Sequence, residues 1–508
     1  MRGVVTLPGR VLRRAELALR GDEVLGTLAQ TLADIHGTRR LVDEADGGLR
    51  ITYQQAAKRV ARWSGGIAAR IEPGDRVVIH TRNGYEQLLL CLAASRAGGI
   101  PVPVNDQMRT EEVRHVVADC DAALVVRSAI EVDGAEPLAD PAPADPGAVA
   151  ALFYTSGTTG APKGAELTHR ALVGQVASGA AWPGPLRRDE AVISLPVAHI
   201  MGFVTLLGLA TAGIPTCFLP HFRPDDVLDA IEHRRATAFI GVPAMYRLLL
   251  EAGAEGRDLT SVRVWGSGAD AMPAELAQRF KHMGATVTLP LAGSFGEATF
   301  VEGYGMVEVG GGAAAKISPP LVRLGLGESV GFPLPSYAFR VVDDEGNDLG
   351  RGAVGELWIR GPGVLKGYWN APEVTAATVT DDGWLRTGDL ARKGPLGMVL
   401  FAGRKKDVVK VGGYSVYALE VQEALERHPL VTEAAVIALP DARLGEVPAA
   451  VVRTTEGAEL TEADVLAWAE VHLADYKVPQ HARVVADLPR TGTRKVRKDA
   501  LMALFDGR

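Results

Sequence analysis

The chain has 508 residues, 47% of them hydrophobic and 23% charged, with a formal net charge of -7, which describes a soluble globular protein of two to four domains and not a surface built for nucleic acid. Three widely spaced cysteines, Cys91, Cys120 and Cys217, form no CxxC pair, so neither a disulfide framework nor a zinc site is indicated and a reducing cytoplasm is expected. The arginine-rich first twenty residues lack the apolar core of a secretory signal and read as a solvated helix.

From residue 76 onward, β-branched runs alternate with helical patterns. Strands are expected at 76–80, 100–104 and 123–126, with helices at 85–97 and 110–118 between them; such alternation indicates βαβ units and a parallel sheet. A Pro-, Ala- and Asp-rich linker at 134–147 leads to a strand at 149–153. The uncharged run 203–220 approaches membrane-spanning length, yet Gly208, Gly213 and Pro215 break it, so it reads as buried helix, turn and strand, and no integral membrane segment is expected. The alternation then continues with strands at 191–195, 237–241 and 262–265 and helices at 201–212, 244–252 and 273–283. After residue 321 the texture becomes turn-rich and β, the pattern of a small antiparallel sheet or barrel. Beyond Gly403 follow helices at 419–427 and 462–473 and strands at 433–439, 449–453 and 483–485, enough for a small domain. The expected fold class is α/β: a large N-terminal domain (1–403) of doubly wound, mainly parallel sheets with a small β-barrel-like subdomain, followed by a small α+β C-terminal domain (404–508).

Directly after the strand at 149–153 comes YTSGTTGAPKGAELTH, residues 154–169. Gly157, Gly160 and Gly164 allow main-chain amides to converge on anionic oxygens. Ser156, Thr158 and Thr159 add hydroxyls and Lys163 a full charge. A Walker A loop needs Gly-Lys-Ser/Thr, whereas here Pro162 precedes the lysine and Gly164 follows it, so that reading fails. Taken alone, the stretch is a phosphate cradle or a flexible surface loop.

Five further stretches decide between these: LPVAHIMG (195–202), GYGMVE (303–308), WLRTGDL (384–390), GRKKDVVKVGGYSVYALEV (403–421) and PRTGTRKVRKDAL (489–501). Together with the loop they resemble the superfamily of adenylate-forming, AMP-binding enzymes, in its acyl-CoA synthetase branch. The resemblance implies an ATP-dependent carboxylic acid:CoA ligase that makes an acyl-adenylate, releases pyrophosphate, and transfers the acyl group to coenzyme A. It implies that Thr155, Ser156, Gly157, Thr158, Thr159, Gly160 and Lys163 hold the β- and γ-phosphates, and that Gly303, Tyr304 and Gly305 meet the adenine. Glu308 would carry Mg²⁺, Asp389 and Arg404 the ribose, and His199 would flank the acyl carboxylate. Lys495 would bridge carboxylate and phosphate during adenylation. Rotation about Lys406, the hinge, would replace it with Gly412 and Gly413, which line the passage of the thiol. By position relative to these motifs, Phe203, Val242, Trp265, Gly268 and Met306 are the acyl-pocket candidates, with Trp265 as a cap.

The pattern also departs from the family. Val307 replaces the usual threonine, Arg494 a glycine and Ala418 a frequent proline, and extra residues near 289–300 precede Gly303, reshaping the acyl pocket or a subunit contact. Amino-acid-activating relatives carry an aspartate after the LPxxH stretch, whereas 203–213 is uncharged here, so the acid is expected to be fatty or otherwise apolar. The short segment between Asp389 and Arg404 favours coenzyme A over the phosphopantetheine of a carrier protein as acceptor. A non-catalytic nucleotide or acyl sensor is the alternative of another class, and the oligomeric state, a homodimer among the options, is left open.

Overall fold

Strand and helix alternate through the first 338 residues as β-branched runs and amphipathic stretches do in the sequence. The computed structural model describes residues 7–155, 162–183, 188–289, 293–320, 329–455, 457–490 and 496–506. The chain divides into two units, Met1–Ala338 with Ile359–Leu385, and Phe339–Trp358 with Arg386–Arg508.

In the first unit the strands are β1 (Arg40–Glu44), β2 (Arg50–Thr52), β3 (Arg76–Ile79), β4 (Ile100–Pro103), β5 (Ala122–Val126), β6 (Val149–Thr155), β7 (Lys163–Thr168), β8 (Ala191–Ile193), β9 (Thr216–Phe218), β10 (Ala238–Gly241), β11 (Val264–Gly268), β12 (Val287–Leu289), β13 (Gly293–Phe295), β14 (Thr299–Tyr304), β15 (Ala314–Ser318) and β16 (Ser329–Pro333). The main sheet runs β16-β15-β14-β11-β10-β8-β9-β1-β2. Its centre, β14 to β1, is parallel; β15, β16 and β2 attach antiparallel at the edges. Val192, Ile193, Phe239 and Trp265 on these central strands are all buried, the near-continuous apolar run that a helix-covered parallel sheet requires. A second parallel sheet has the order β4-β3-β5, and β6 with β7 forms a hairpin.

Helix boundaries follow local chemistry. Thr52 and Gln55 form a capping box on the helix Tyr53–Ala68, and Pro224 and Pro243 open theirs at positions where no amide donor is needed. The helix Ile200–Ala212 ends at Gly213, whose φ is +75° and whose added Cβ would lie 2.6 Å from the His36 ring. Only glycine fits there. His36 Nε2 donates to Thr211 O at 3.2 Å and the Tyr53 hydroxyl to Ala210 O at 2.9 Å, so this helix end anchors the N-terminal helices. His169 Nδ1 accepts from Leu25 N at 3.0 Å. No helix among the described residues is long and apolar enough to cross a membrane.

The turn-rich segment after residue 321 is shared between the units. β16 extends the main sheet because Ala314 and Ala315 on β15 pair with Pro333 and Phe332, whereas the second unit begins at Phe339. That unit holds β17 (Ala338–Val342), β18 (Val354–Arg360), β19 (Leu385–Lys393) and β20 (Val399–Arg404) side by side. It continues with β21 (Val408–Val411), β22 (Tyr414–Tyr417), β23 (Val431–Asp441), β24 (Gly445–Thr454) and β25 (His481–Val485), in the order β22-β21-β24-β23 with β25 parallel to β24. Val421 and Leu425 of the helix Ala418–Glu426 and Val465 of Glu462–His472 pack with Val409, Val436 and Val452 of the strands in one core.

Burial lowers both His36 and His169 to about 4 from an ordinary value of 6.5, so both are neutral in the fold at pH 7. The unfolded chain takes up these protons below pH 6.5 and the native state does not until about pH 4, so the stability they confer is complete above 6.5 and is lost as pH falls between the two values. In His169→Asn, whose amide oxygen can still accept from Leu25, the urea midpoint converted to free energy should fall less steeply over that window, by about 1.4 kcal/mol per pH unit. Parallel curves for the two proteins would refute the assignment.

Candidate active site

The glycine-rich stretch is a hairpin and not an open loop over 154–169. Thr155 and Lys163 are cross-strand partners, leaving residues 156–162 as the connection; Ser156, Gly157, Thr158, Thr159 and Gly160 lie outside the described residues. The reason lies in the period-two pattern of the C-terminal arm, in which Ala165 and Leu167 are fully buried while Glu166 and Thr168 are half-buried. Gly164 leaves room for the Tyr154 ring, 3.1 Å from where its Cβ would stand. The base of the connection is pinned by the Tyr154 hydroxyl, which donates to Asp119 Oδ2 at 2.6 Å, and by His115 Nε2, which donates to Pro162 O at 3.0 Å. Lys163 is exposed.

Parallel pairing sets Gly268 of β11 beside Gly303 of β14. A Cβ on Gly268 would stand 3.2 Å from Gly303 O and 3.3 Å from Met201 Cε, so two bare stretches of backbone and one thioether side chain meet here. Met201 is in the first turn of the helix Ile200–Ala212, and His199 caps that helix, its Nδ1 accepting from Met201 N at 3.3 Å. Tyr304 ends β14, opposite Ala314. Gly305 admits no side chain, since its Cβ would fall 1.7 Å from Gly311 O. The half-buried Met306 and Val307 lead into a tight turn, Val307–Val309, that presents Glu308. The Tyr368 hydroxyl donates to Glu308 Oε1 at 2.7 Å, and burial, then the Glu308 charge, holds that phenol well above its ordinary range, as a donor. Nearby on β14, Glu302 pairs with Lys316 of β15 at 2.8 Å; burial pushes this carboxyl above its ordinary range while Lys316 opposes the shift.

The described residues contain no group of three or more His, Cys, Asp or Glu arranged to hold a metal ion. A single carboxylate fits Mg²⁺ held chiefly by substrate phosphates and water, and does not fit a dedicated protein cage.

Two acyl-pocket candidates belong to the core. Register sets Phe239, Trp265 and Phe300 side by side on β10, β11 and β14. Trp265 is fully buried with its ring centroid 5.0 Å from Phe280 and 6.2 Å from both Tyr246 and Phe239. An aromatic ring at that point fills the space under the helices Pro243–Glu251 and Ala274–Met283. Phe203 is likewise fully buried, edge-on to Phe153 at 5.2 Å. Val242 is half-buried at the cap of Pro243–Glu251. The extra residues near 289–300 include part of the hairpin β12–β13, where Val287 and Phe295 face each other, 39% and 50% exposed. Sequence reasoning missed Met201, inside a quoted motif, and Tyr368, outside all six.

In the second unit Asp389 and Arg404 are cross-strand partners on β19 and β20. Arg404 Nε meets Asp389 Oδ1 at 2.8 Å, and the carboxylate is 1% exposed. Lys406 lies in the short turn Lys405–Asp407, and Asp407 pairs with Lys498 at 2.7 Å. Gly412 and Gly413, at φ +53° and +91°, form the two-residue turn joining β21 to β22, exposed at its tip. Arg494 and Lys495 lie outside the described residues.

The sequence matches the family model for AMP-binding enzymes over residues 30–369 and that for the AMP-binding enzyme C-terminal domain over 420–495. It is 33% identical over 486 residues to a feruloyl-CoA synthase from an Amycolatopsis species, covering 90% of this chain and 95% of that one. Among solved structures, ATP-bound MatB from Rhodopseudomonas palustris superimposes with a TM-score of 0.83 at 30% identity, covering 95% and 99% of the two chains. O-Succinylbenzoate-CoA synthetase (MenE) from Bacillus subtilis with its acyl-adenylate intermediate does so with 0.81 at 25%, covering 96% and 99%.

Trp265→Ala should destabilise the first unit by about 3 to 5 kcal/mol, the cost of emptying a buried aromatic site, with the profile of accepted acids unaltered. Urea titration and an acid panel on the same preparation read both quantities. A folded variant of undiminished stability that accepts longer acids would return Trp265 to the pocket.

Proposed function

The chain belongs to the AMP-binding enzyme family and is an AMP-forming acid:CoA ligase, and on that premise we propose that its acid is fatty or otherwise apolar, activated with ATP and Mg²⁺. One observation carries the substrate reading. The helix Ile200–Ala212 contains no charged side chain, and its first turn brings Met201 against the backbone of Gly268 beside Gly303. A substrate ammonium or second carboxylate buried there would lack a counter-charge, at a cost of several kcal/mol.

In the proposed reaction the acid carboxylate attacks the α-phosphorus of ATP, an oxygen–phosphorus bond forms, and pyrophosphate leaves. The thiolate of coenzyme A then attacks the acyl carbon and AMP departs. The barrier to the first step is largely electrostatic, anion approaching anion while charge gathers on the leaving group. Lys163 and the hydroxyls and amides of 155–160 would hold that leaving group, and Lys495 would bridge acid and phosphate. Glu308 would hold Mg²⁺, which when bound neutralises phosphate charge. Tyr304 would stack on adenine, Asp389 and Arg404 would bind the ribose hydroxyls, and His199 would lie beside the acid carboxylate. The exposed Gly412–Gly413 turn would admit the pantetheine thiol, with Lys406 as the pivot between the half-reactions and the C-terminal domain beginning near residue 404.

Three measurements test this reading. Lys495→Ala should abolish acid-dependent exchange of pyrophosphate into ATP while thioester formation from supplied acyl-adenylate stays within about threefold; an equal loss of both half-reactions in a folded variant would contradict separate roles. In wild type, product mass spectrometry across an acid panel with ATP, Mg²⁺ and coenzyme A should yield thioesters of apolar acids only. Met201→Ala should shift the ratio of kcat/KM between bulky and small acids at least tenfold toward the bulky ones, the scale of a few methylenes in an apolar pocket. Dicarboxylic or amino acids as the best substrates would refute the assignment.

A further inference from the structure

Residues 366–369 run along β7 as a third strand in all but length. Glu166 N donates to Gly367 O and Lys366 N to Glu166 O, both at 2.9 Å, and Trp369 N donates to Gly164 O at 2.8 Å. Ala165 and Tyr368 thereby form an antiparallel bridge. Tyr368 is fixed again by its own amide, which donates to Thr375 Oγ1 at 2.8 Å. From this anchored backbone the phenol reaches Glu308 Oε1 at 2.7 Å, while Leu365 N donates to the Glu308 carbonyl at 2.9 Å. The segment that lies against the phosphate hairpin thus holds both the main chain and the carboxylate of Glu308.

We propose that Tyr368 is a positioning residue for Glu308. Its hydroxyl occupies Oε1 and stops rotation of the carboxylate, which leaves Oε2 as the oxygen presented to the Mg²⁺ that accompanies ATP. Because Tyr368 is bonded to the arm that starts at Lys163, the cation on the phosphates and the carboxylate on the metal are set by one hydrogen-bonded frame. Partners of this kind behind a metal-binding carboxylate change metal affinity by about 10- to 100-fold when removed. The inference rests on the reading of Glu308 as the Mg²⁺ carboxylate.

The test is Tyr368→Phe in the full chain, which keeps the ring and loses only the hydroxyl. Calorimetry measures ATP affinity with Mg²⁺ and with excess chelator, and pyrophosphate exchange measures the Mg²⁺ concentration for half-maximal rate. Expected are a rise of about tenfold in both the half-saturating Mg²⁺ and the Kd of Mg²⁺·ATP, unchanged affinity for metal-free ATP, an unchanged thermal midpoint, and a rate largely restored by saturating Mg²⁺. Loss of ATP affinity to the same degree with and without Mg²⁺, or no change in either, overturns the proposal. Glu308→Gln is measured beside it. If that variant leaves the Mg²⁺ dependence of ATP affinity intact, the reading of Glu308 itself fails; if it removes the dependence and Tyr368→Phe does not alter it, the role of Tyr368 alone fails.

Discussion

The backbone ladder between β7 and residues 366–369 is the constraint on which the glycine-rich hairpin and the placement of Glu308 depend. Some two hundred residues separate its two strands in the sequence, so the ladder closes a very long loop and is worth little until the sheets around it have formed. Once closed, it ties Gly164, Glu166, Gly367 and Trp369 together through main-chain bonds that no side-chain substitution removes. The hairpin gains rigidity at its base, where His115, Asp119 and Tyr154 add further bonds. The arms of the hairpin on either side of the connection are thus fixed by main-chain and side-chain bonds alike.

Each unit holds an ion pair whose partners are set opposite each other by strand register. Glu302 and Lys316 are cross-strand neighbours on β14 and β15, as are Asp389 and Arg404 on β19 and β20. A pair set by register loses little side-chain entropy on forming, which offsets part of the desolvation cost that makes buried ion pairs weak stabilisers in general. At Asp389 the consequence is chemical as well. The carboxylate is 1% exposed and yet kept with a guanidinium, so an acceptor and a donor set lie at one point of the sheet, the combination that a vicinal diol requires.

Most of the fold was legible in the sequence because parallel strands and amphipathic helices write strong periodicities: the expected helix at 201–212 is Ile200–Ala212 and the expected strand at 449–453 lies within Gly445–Thr454. What could not be read was tertiary. The sequence of Lys163–Thr168 alternates like a strand, but Gly157 and Gly160 before it and Gly164 within it speak for a loop. Trp265 sits a few residues before Gly268, and nothing in one dimension shows that strand register sets its ring between Phe239 and Phe300. Tyr368 was invisible because its partner lies sixty positions away. The motifs marked candidate residues, whereas the residues packed and bonded around them became apparent only once the strands were paired.

Val307 acquires a different weight in this setting. A threonine at that point could serve two purposes, shaping the turn Val307–Val309 and donating its hydroxyl to phosphate. Valine keeps the β-branched shape, and the turn is held independently, by Leu365 N on the Glu308 carbonyl and by Gly310 at φ +66° closing it behind Val309. The geometry of Glu308 thus owes nothing to a hydroxyl at 307. On the proposed reading of this turn, the substitution removes one donor toward the nucleotide, about 1 to 3 kcal/mol where the phosphate oxygen it would meet is left without another. The carboxylate and carbonyl of Glu308 are held by Tyr368 and Leu365, so valine at 307 leaves the placement of that side chain unchanged.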